Sequence, residues 1–184
     1  MPPDFSRGQE KMKSRNNNDF DIPFKGLALG TRQYSFKIGN KFFNTIEYSE
    51  IKKGDVTADV ELIKESTMLI FNFSLKGSVE LNCDRCLENY HQPIEGNFKL
   101  IVKFGEQPEE LSDEIITISN DDTDFDLTHY LYEYIVLLLP LKHVHPDDEN
   151  GNPACSVDML NQIAEYSEKK SDPRWAALKN IKLD

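Results

Sequence analysis

The sequence predicts an α+β domain in which an antiparallel β-sheet meander is packed with a few C-terminal helices. Three observations carry this. Apolar and polar residues alternate in successive segments between Asp55 and Phe104, the period of half-buried strands, with no helical period between them. After Asp126 the apolar spacing switches to the threes and fours of a helix. The hydrophobic share, 39% of 184 residues, is enough for a core.

Taken in order, residues 1–19 are polar and rich in Lys, Arg and Asn, the composition of a disordered tail. Its cations Lys11, Lys13 and Arg15 offer a nucleic-acid contact or a solvated tail. Phe20–Leu29 reads as an extended lead-in, because Pro23 keeps the residue before it out of the helical region. Tyr34, Phe36 and Ile38 alternate with polar neighbours and predict a strand that turns at Gly39-Asn40. Phe42–Ile51 fits either a strand or a short helix. Val56, Ala58, Val60 and Leu62 share one strand face. Leu69, Phe71, Phe73 and Leu75 share another, interrupted by Gly77 and continued by Val79 and Leu81. Ile94, Phe98, Leu100, Val102 and Phe104 make the last member of the meander. The acidic stretch Glu106–Asp124 reads as a loop with one edge strand, Ile115–Ile118.

Asp126 is placed to cap a helix running to Leu139, with Leu127, Tyr130, Leu131, Tyr134, Ile135 and Leu138 apolar and Pro140 as its stop. Asp147–Pro153 is a polar loop. Ser156–Ser167 predicts a short helix capped by Ser156. Asp172-Pro173 opens a final one, with Trp175, Leu178 and Ile181 on one face.

Composition narrows function. No run of about 18 apolar residues exists to cross a membrane, and the first twenty residues lack the apolar centre of a secretory signal. The expectation is therefore a soluble cytoplasmic protein. The net charge of −11 repels phosphate backbones, which disfavours a general nucleic-acid binder and leaves room for a local basic patch or a basic protein partner. Plain solubility explains the same charge.

The chemistry sits in Cys83-Asp84-Arg85-Cys86, two of the chain's three cysteines. Their spacing lets both sulfurs face one centre while the backbone turns between them. One such pair is half a site. Downstream, His143, His145 and Cys155 offer the rest, and thiolate with imidazole suits tetrahedral Zn²⁺. The best set is Cys83, Cys86, His145 and Cys155, with His143 as the substitute. A reduced thiol pair without metal is the simpler alternative. Cys155 alone reads as a small buried hydrophobe, and His91 and His129 read as structural. The rival for the motif is a thiol redox site, which wants the pair at a helix N-terminus. Here the flanking residues, Val79–Asn82 and Glu88–Pro93, predict a strand-to-strand turn. The chain carries no G-x-S-x-G, no phosphate-binding G-x-x-x-x-G-K-[ST] and no H-E-x-x-H, and four protein ligands leave a metal no open position. No enzyme is expected.

In order, C-D-R-C-L-E-N-Y (Cys83–Tyr90), F-D-L-T-H-Y-L-Y-E-Y-I-V-L-L-L-P-L-K-H-V-H (Phe125–His145), Cys155, and D-P-R-W-A-A-L-K (Asp172–Lys179) resemble the YceD family of large ribosomal RNA subunit accumulation proteins, over roughly residues 55–181. The resemblance implies a bacterial-type or organellar factor in ribosome biogenesis that supports accumulation of large-subunit ribosomal RNA. Its partner would be a large-subunit precursor, engaged through a ribosomal protein or the RNA, with no membrane and no small-molecule substrate. Family members often keep the C-x-x-C, a Val-His after the Leu-Pro helix end, and a later Cys. These map onto Cys83, Cys86, His145 and Cys155. Many relatives have a second C-x-x-C-like pair after the helix, where this chain has Cys155 alone. On this reading residues 20–184 form a single YceD-like domain, β-rich over 20–120 and helical over 125–181. Arg85 is placed for a phosphate or carboxylate contact or for a structural hydrogen bond. Arg174 and Trp175 are placed for docking or for packing on the sheet. The alternative function is a zinc- or thiol-dependent redox enzyme using Cys83 and Cys86.

Overall fold

The computed structural model describes residues 18–106, 108–147, 151 and 154–167. A 3-10 turn, Asn18–Phe20, leads into β1 (Asp21–Pro23). The meander follows as β2 (Gly30–Ile38), β3 (Gly54–Lys64), β4 (Met68–Asn82) and β5 (Asn89–Gly105), each antiparallel to the one before. Between β2 and β3, Asn40–Thr45 forms the short helix α1. The alternation that predicts the strands also sets their register. Val60 pairs with Phe73 and Phe73 with Phe98, while Leu62 pairs with Phe71 and Phe71 with Leu100. Because side chains alternate across a sheet, these rows share one face, and Val60, Leu62, Phe71, Phe73 and Leu100 are buried there.

Two features depart from the alternation. Gly77 does not interrupt β4, which runs unbroken for 15 residues. Its missing Cβ is what keeps the strand whole: a Cβ there would collide with the carbonyl oxygen of Asp55 and lie 2.6 Å from Cα of Val56 on β3. The acidic stretch holds two strands, not one. β6 (Glu109–Ser112) forms the edge, and β7 (Ile115–Ser119) lies between it and β5, parallel to β5. The sequence Glu-Glu-Leu-Ser has no apolar alternation by which to announce a strand; it is strand through its pairing with β7, which buries Ile116 and Ile118.

One face of this sheet carries the second layer. β8 (Asp124–Asp126) pairs with β1 as a two-stranded ribbon, and Phe125 stacks on Phe71 with centroids 5.3 Å apart. Helix α2 (Thr128–Leu137) follows directly. Asp126 Oδ1 accepts the Thr128 N–H at 2.8 Å, so the expected capping residue satisfies the first turn from just outside it. Tyr134 of α2 stacks on Phe98 at 4.3 Å and meets Phe73 edge-on at 5.0 Å. Gly96 makes room for Leu138, whose side chain occupies the space a Cβ would need. Leu138 thereby seats the end of α2 on β5, just before Pro140. Val157–Ser167 is α3, with no buried residue. No helix among the described residues is long and apolar enough to cross a membrane. The expected tail and the final Asp172 helix lie outside the described residues, apart from the tail's last two positions in the 3-10 turn.

Candidate metal centre

Strands β4 and β5 form a long hairpin whose last pair is Asn82–Asn89, so Cys83–Glu88 is its loop. The Cys83 N–H donates to Glu88 O at 2.9 Å and closes the loop; the Leu87 N–H donates to Cys83 O at 2.9 Å and tightens it. Leu87 adopts φ 63°, the left-handed region, which costs a side chain about 1–2 kcal/mol. The Arg85 N–H points at Cys83 Sγ, 3.4 Å away. This turn aims both sulfurs to the same side.

The segment after α2 brings the other donors. Asp84 N–H donates to His143 O at 2.6 Å, and His143 N–H donates to Asp84 Oδ2 at 2.7 Å. That pair of bonds holds the 143–145 segment against the loop. His145 then lies with its ring 5.1 Å from that of Tyr90. Cys155, at the start of the α3 region, is buried beside it.

The donor atoms of Cys83, Cys86, His145 and Cys155 all lie within 4.8 Å of one another. Cys83 Sγ is 3.7 Å from Cys155 Sγ, and His145 Nδ1 is 3.4 Å from Cys86 Sγ and 3.6 Å from Cys155 Sγ. With Zn–S near 2.3 Å and Zn–N near 2.0 Å, a tetrahedral zinc separates its sulfurs by about 3.8 Å and sulfur from nitrogen by about 3.5 Å. The residues fit the ion in donor chemistry and in spacing. No disulfide links the three cysteines.

Electrostatics divides the thiols. Burial pushes Cys83 up, but hydrogen bonds from the backbone at Cys86, His145 and Arg85, with the His145 side chain, outweigh it and bring the thiol down to about 6. Burial, then hydrogen bonding to Cys83 and Cys86, pushes Cys155 up to about 11. Without a cation, three sulfurs this close cannot all be thiolates; a bound Zn²⁺ removes that conflict. Cys86 Sγ lies 3.8 Å from Glu88 Oε2.

His143 stands beside the cluster and contributes its backbone to the Asp84 clamp. Arg85 is partly exposed and serves Cys83 through its backbone N–H. Arg174 and Trp175 lie outside the described residues. Asp84, Leu87 and Tyr90 are the participants that ligand spacing does not reveal. A short polar residue between two knuckle cysteines is the one available signal for Asp84.

The model of the YceD family, described as large ribosomal RNA subunit accumulation protein YceD, matches residues 71–182, which takes in the hairpin loop, α2 and Cys155. The chain belongs to the YceD family. The uncharacterized protein YlbN of Bacillus subtilis (strain 168) is 26% identical over 153 residues, covering 77% of this chain and 87% of the relative. No solved structure matches. The family's name ties this YceD protein to accumulation of large-subunit ribosomal RNA. Its mostly antiparallel sheet, with one parallel pair, and its helices make the α+β fold that the periodicity predicts.

Proposed function

We propose that this YceD protein is a non-enzymatic assembly factor that supports large-subunit ribosomal RNA by binding a ribosomal protein or pre-ribosomal RNA in the cytoplasm. The family match over residues 71–182 is the observation that carries the reading. The closed donor set supports a scaffold over a catalyst. Four protein ligands from Cys83, Cys86, His145 and Cys155 would hold a zinc with no position left for a substrate. The ion would supply a cross-link between the β4–β5 hairpin and the segment after α2, within a single domain spanning residues 20–184. Arg85, Arg174 and Trp175 are proposed as contact residues.

The redox reading has one observation in its favour, the lowered Cys83 thiol. Against it, Cys83–Cys86 lies in a hairpin loop, not at a helix N-terminus. Sedimentation of cell extracts separates the readings. A tagged protein that travels with precursor large-subunit particles, and whose deletion lowers the large-to-small rRNA ratio, supports the assembly role. A protein that stays at the top of the gradient at low salt, with an unchanged ratio on deletion, overturns it. Thiol-dependent disulfide exchange by the purified protein would favour the enzyme.

A further inference from the structure

Among the described residues, the second face of the sheet carries no packed layer over its middle. There an open groove of about 790 Å³ begins at Gln33 on β2, crosses β3 and β4, and rounds the edge of β5, where pairing with β7 has not yet begun, to the β6–β7 turn and to Tyr134 and Leu137 of α2 on the other side. Its charged lining is Asp59, Glu61, Asp113 and Glu114 against Lys99, a formal local charge of −3 among the described residues. Glu61 is held in place: Gln33 Nε2 donates to one of its oxygens at 3.0 Å and Asn72 Nδ2 to the other at 2.9 Å. These three residues sit opposite one another across adjacent strands, so the carboxylate is preorganised on a rigid platform.

A second observation points to a ligand. Tyr134 lines the same groove, is only 6% exposed, and its hydroxyl has no hydrogen-bond partner among the described residues. A buried unpaired hydroxyl costs about 1–3 kcal/mol, and a bound acceptor would relieve it. Leu137, 69% exposed, adds an apolar wall.

We propose that this groove is the docking surface for a Lys- and Arg-rich segment of a partner protein. Ammonium and guanidinium groups pair with the carboxylates, their aliphatic stems lie along Leu137, and Tyr134 donates to a peptide carbonyl. Nucleic acid does not suit the site, because phosphates meet four carboxylates and one ammonium. A lone divalent cation does not suit it either: among the described residues these acids do not converge as the cysteine cluster does. The proposal deepens the assembly-factor reading, in which a basic ribosomal protein is one of the two candidate partners.

Fluorescence anisotropy of a labelled Lys/Arg-rich peptide on the full chain tests it, beside the same peptide with acetylated lysines and a single-stranded RNA oligonucleotide. The expected result is binding of the basic peptide alone, weakened by salt and weakened several-fold by Glu61→Gln and by Glu114→Gln. Glu114 lies in an exposed turn, so its variant tests the charge even where Glu61→Gln disturbs the sheet. Glu47→Gln, an equal charge change on an exposed residue outside the groove, should leave binding intact. Tyr134→Phe should weaken it without altering the salt slope. Failure of the basic peptide to bind, equal weakening by Glu47→Gln, or preference for the RNA overturns the proposal. If the peptide fails while the protein still travels with precursor particles, the groove assignment alone is wrong; if both fail, the assembly reading falls with it.

Discussion

Asp84 and His143, 59 residues apart, grip each other through two hydrogen bonds, each giving one donor and one acceptor. The exchange sets His145 opposite Cys86. Asp84→Ala removes the charged acceptor for the His143 N–H and should destabilise the protein by roughly 1 kcal/mol, since Asp84 is exposed and water partly compensates. It should also lower zinc affinity by about tenfold, the scale seen when a group that orients a ligand is lost. Urea denaturation and competition with a chromogenic chelator measure the two effects.

Elemental analysis of the purified protein should find one zinc per chain. Strong chelators should lower its melting temperature, and Cys86→Ser and Cys155→Ser should each abolish tight binding, because each removes one of four ligands. A metal-free protein of equal stability would contradict the centre. Alkylation of the thiols should be slow when metal is bound and fast after chelation.

Gly77→Ala and Gly26→Ala differ by one methyl group at two very different places. At Gly77 the new Cβ meets the β3 backbone, which cannot move aside as a side chain tip would; at Gly26 it meets nothing within 4 Å. Gly77→Ala should cost about 1–3 kcal/mol or prevent folding. Gly26→Ala should be neutral within about 0.5 kcal/mol. Matched denaturation curves give the contrast.

Alkaline pH should loosen the contact between α2 and the sheet. Burial, followed by the charges of Glu110, Glu133 and Asp126, pushes Tyr130 from its ordinary 10.0 to about 12; burial, then Tyr130 and Glu133, does the same for Tyr134. For an acid whose folded value is raised, the unfolded chain releases its proton first. The stabilisation is therefore complete below pH ~10 and is lost as pH rises towards ~12. Denaturation midpoints across that window should fall, and Tyr134→Phe should flatten the fall.

The strands were legible because their faces differ. Val56 to Leu62 and Leu69 to Leu75 carry the alternation that a sheet with one buried face imposes. β6 was not legible, because Glu109 and Glu110 gain their strand geometry from a neighbour and not from their own pattern. The convergence of Cys83, Cys86, His145 and Cys155 could be assembled from ligand chemistry alone, since so few residues of those types exist in the chain. What excluded His143 from the cluster was tertiary: its backbone is committed to Asp84, and spacing does not encode that. The groove was invisible for the same reason. Gln33, Glu61 and Asn72 are ordinary surface residues until strand register sets them side by side.

Cys83 and Cys155 are separated by 72 positions in the chain, and every strand of the meander lies before His145. During synthesis the hairpin emerges with only two of the four donors. A metal bound by this cluster would meet an open, bidentate and weak site on the nascent chain, and tight capture would wait until Cys155 has been made. Such a centre would mark a chain translated through α2 and its following loop, and a truncated copy would leave two thiols exposed as a signature of incompleteness.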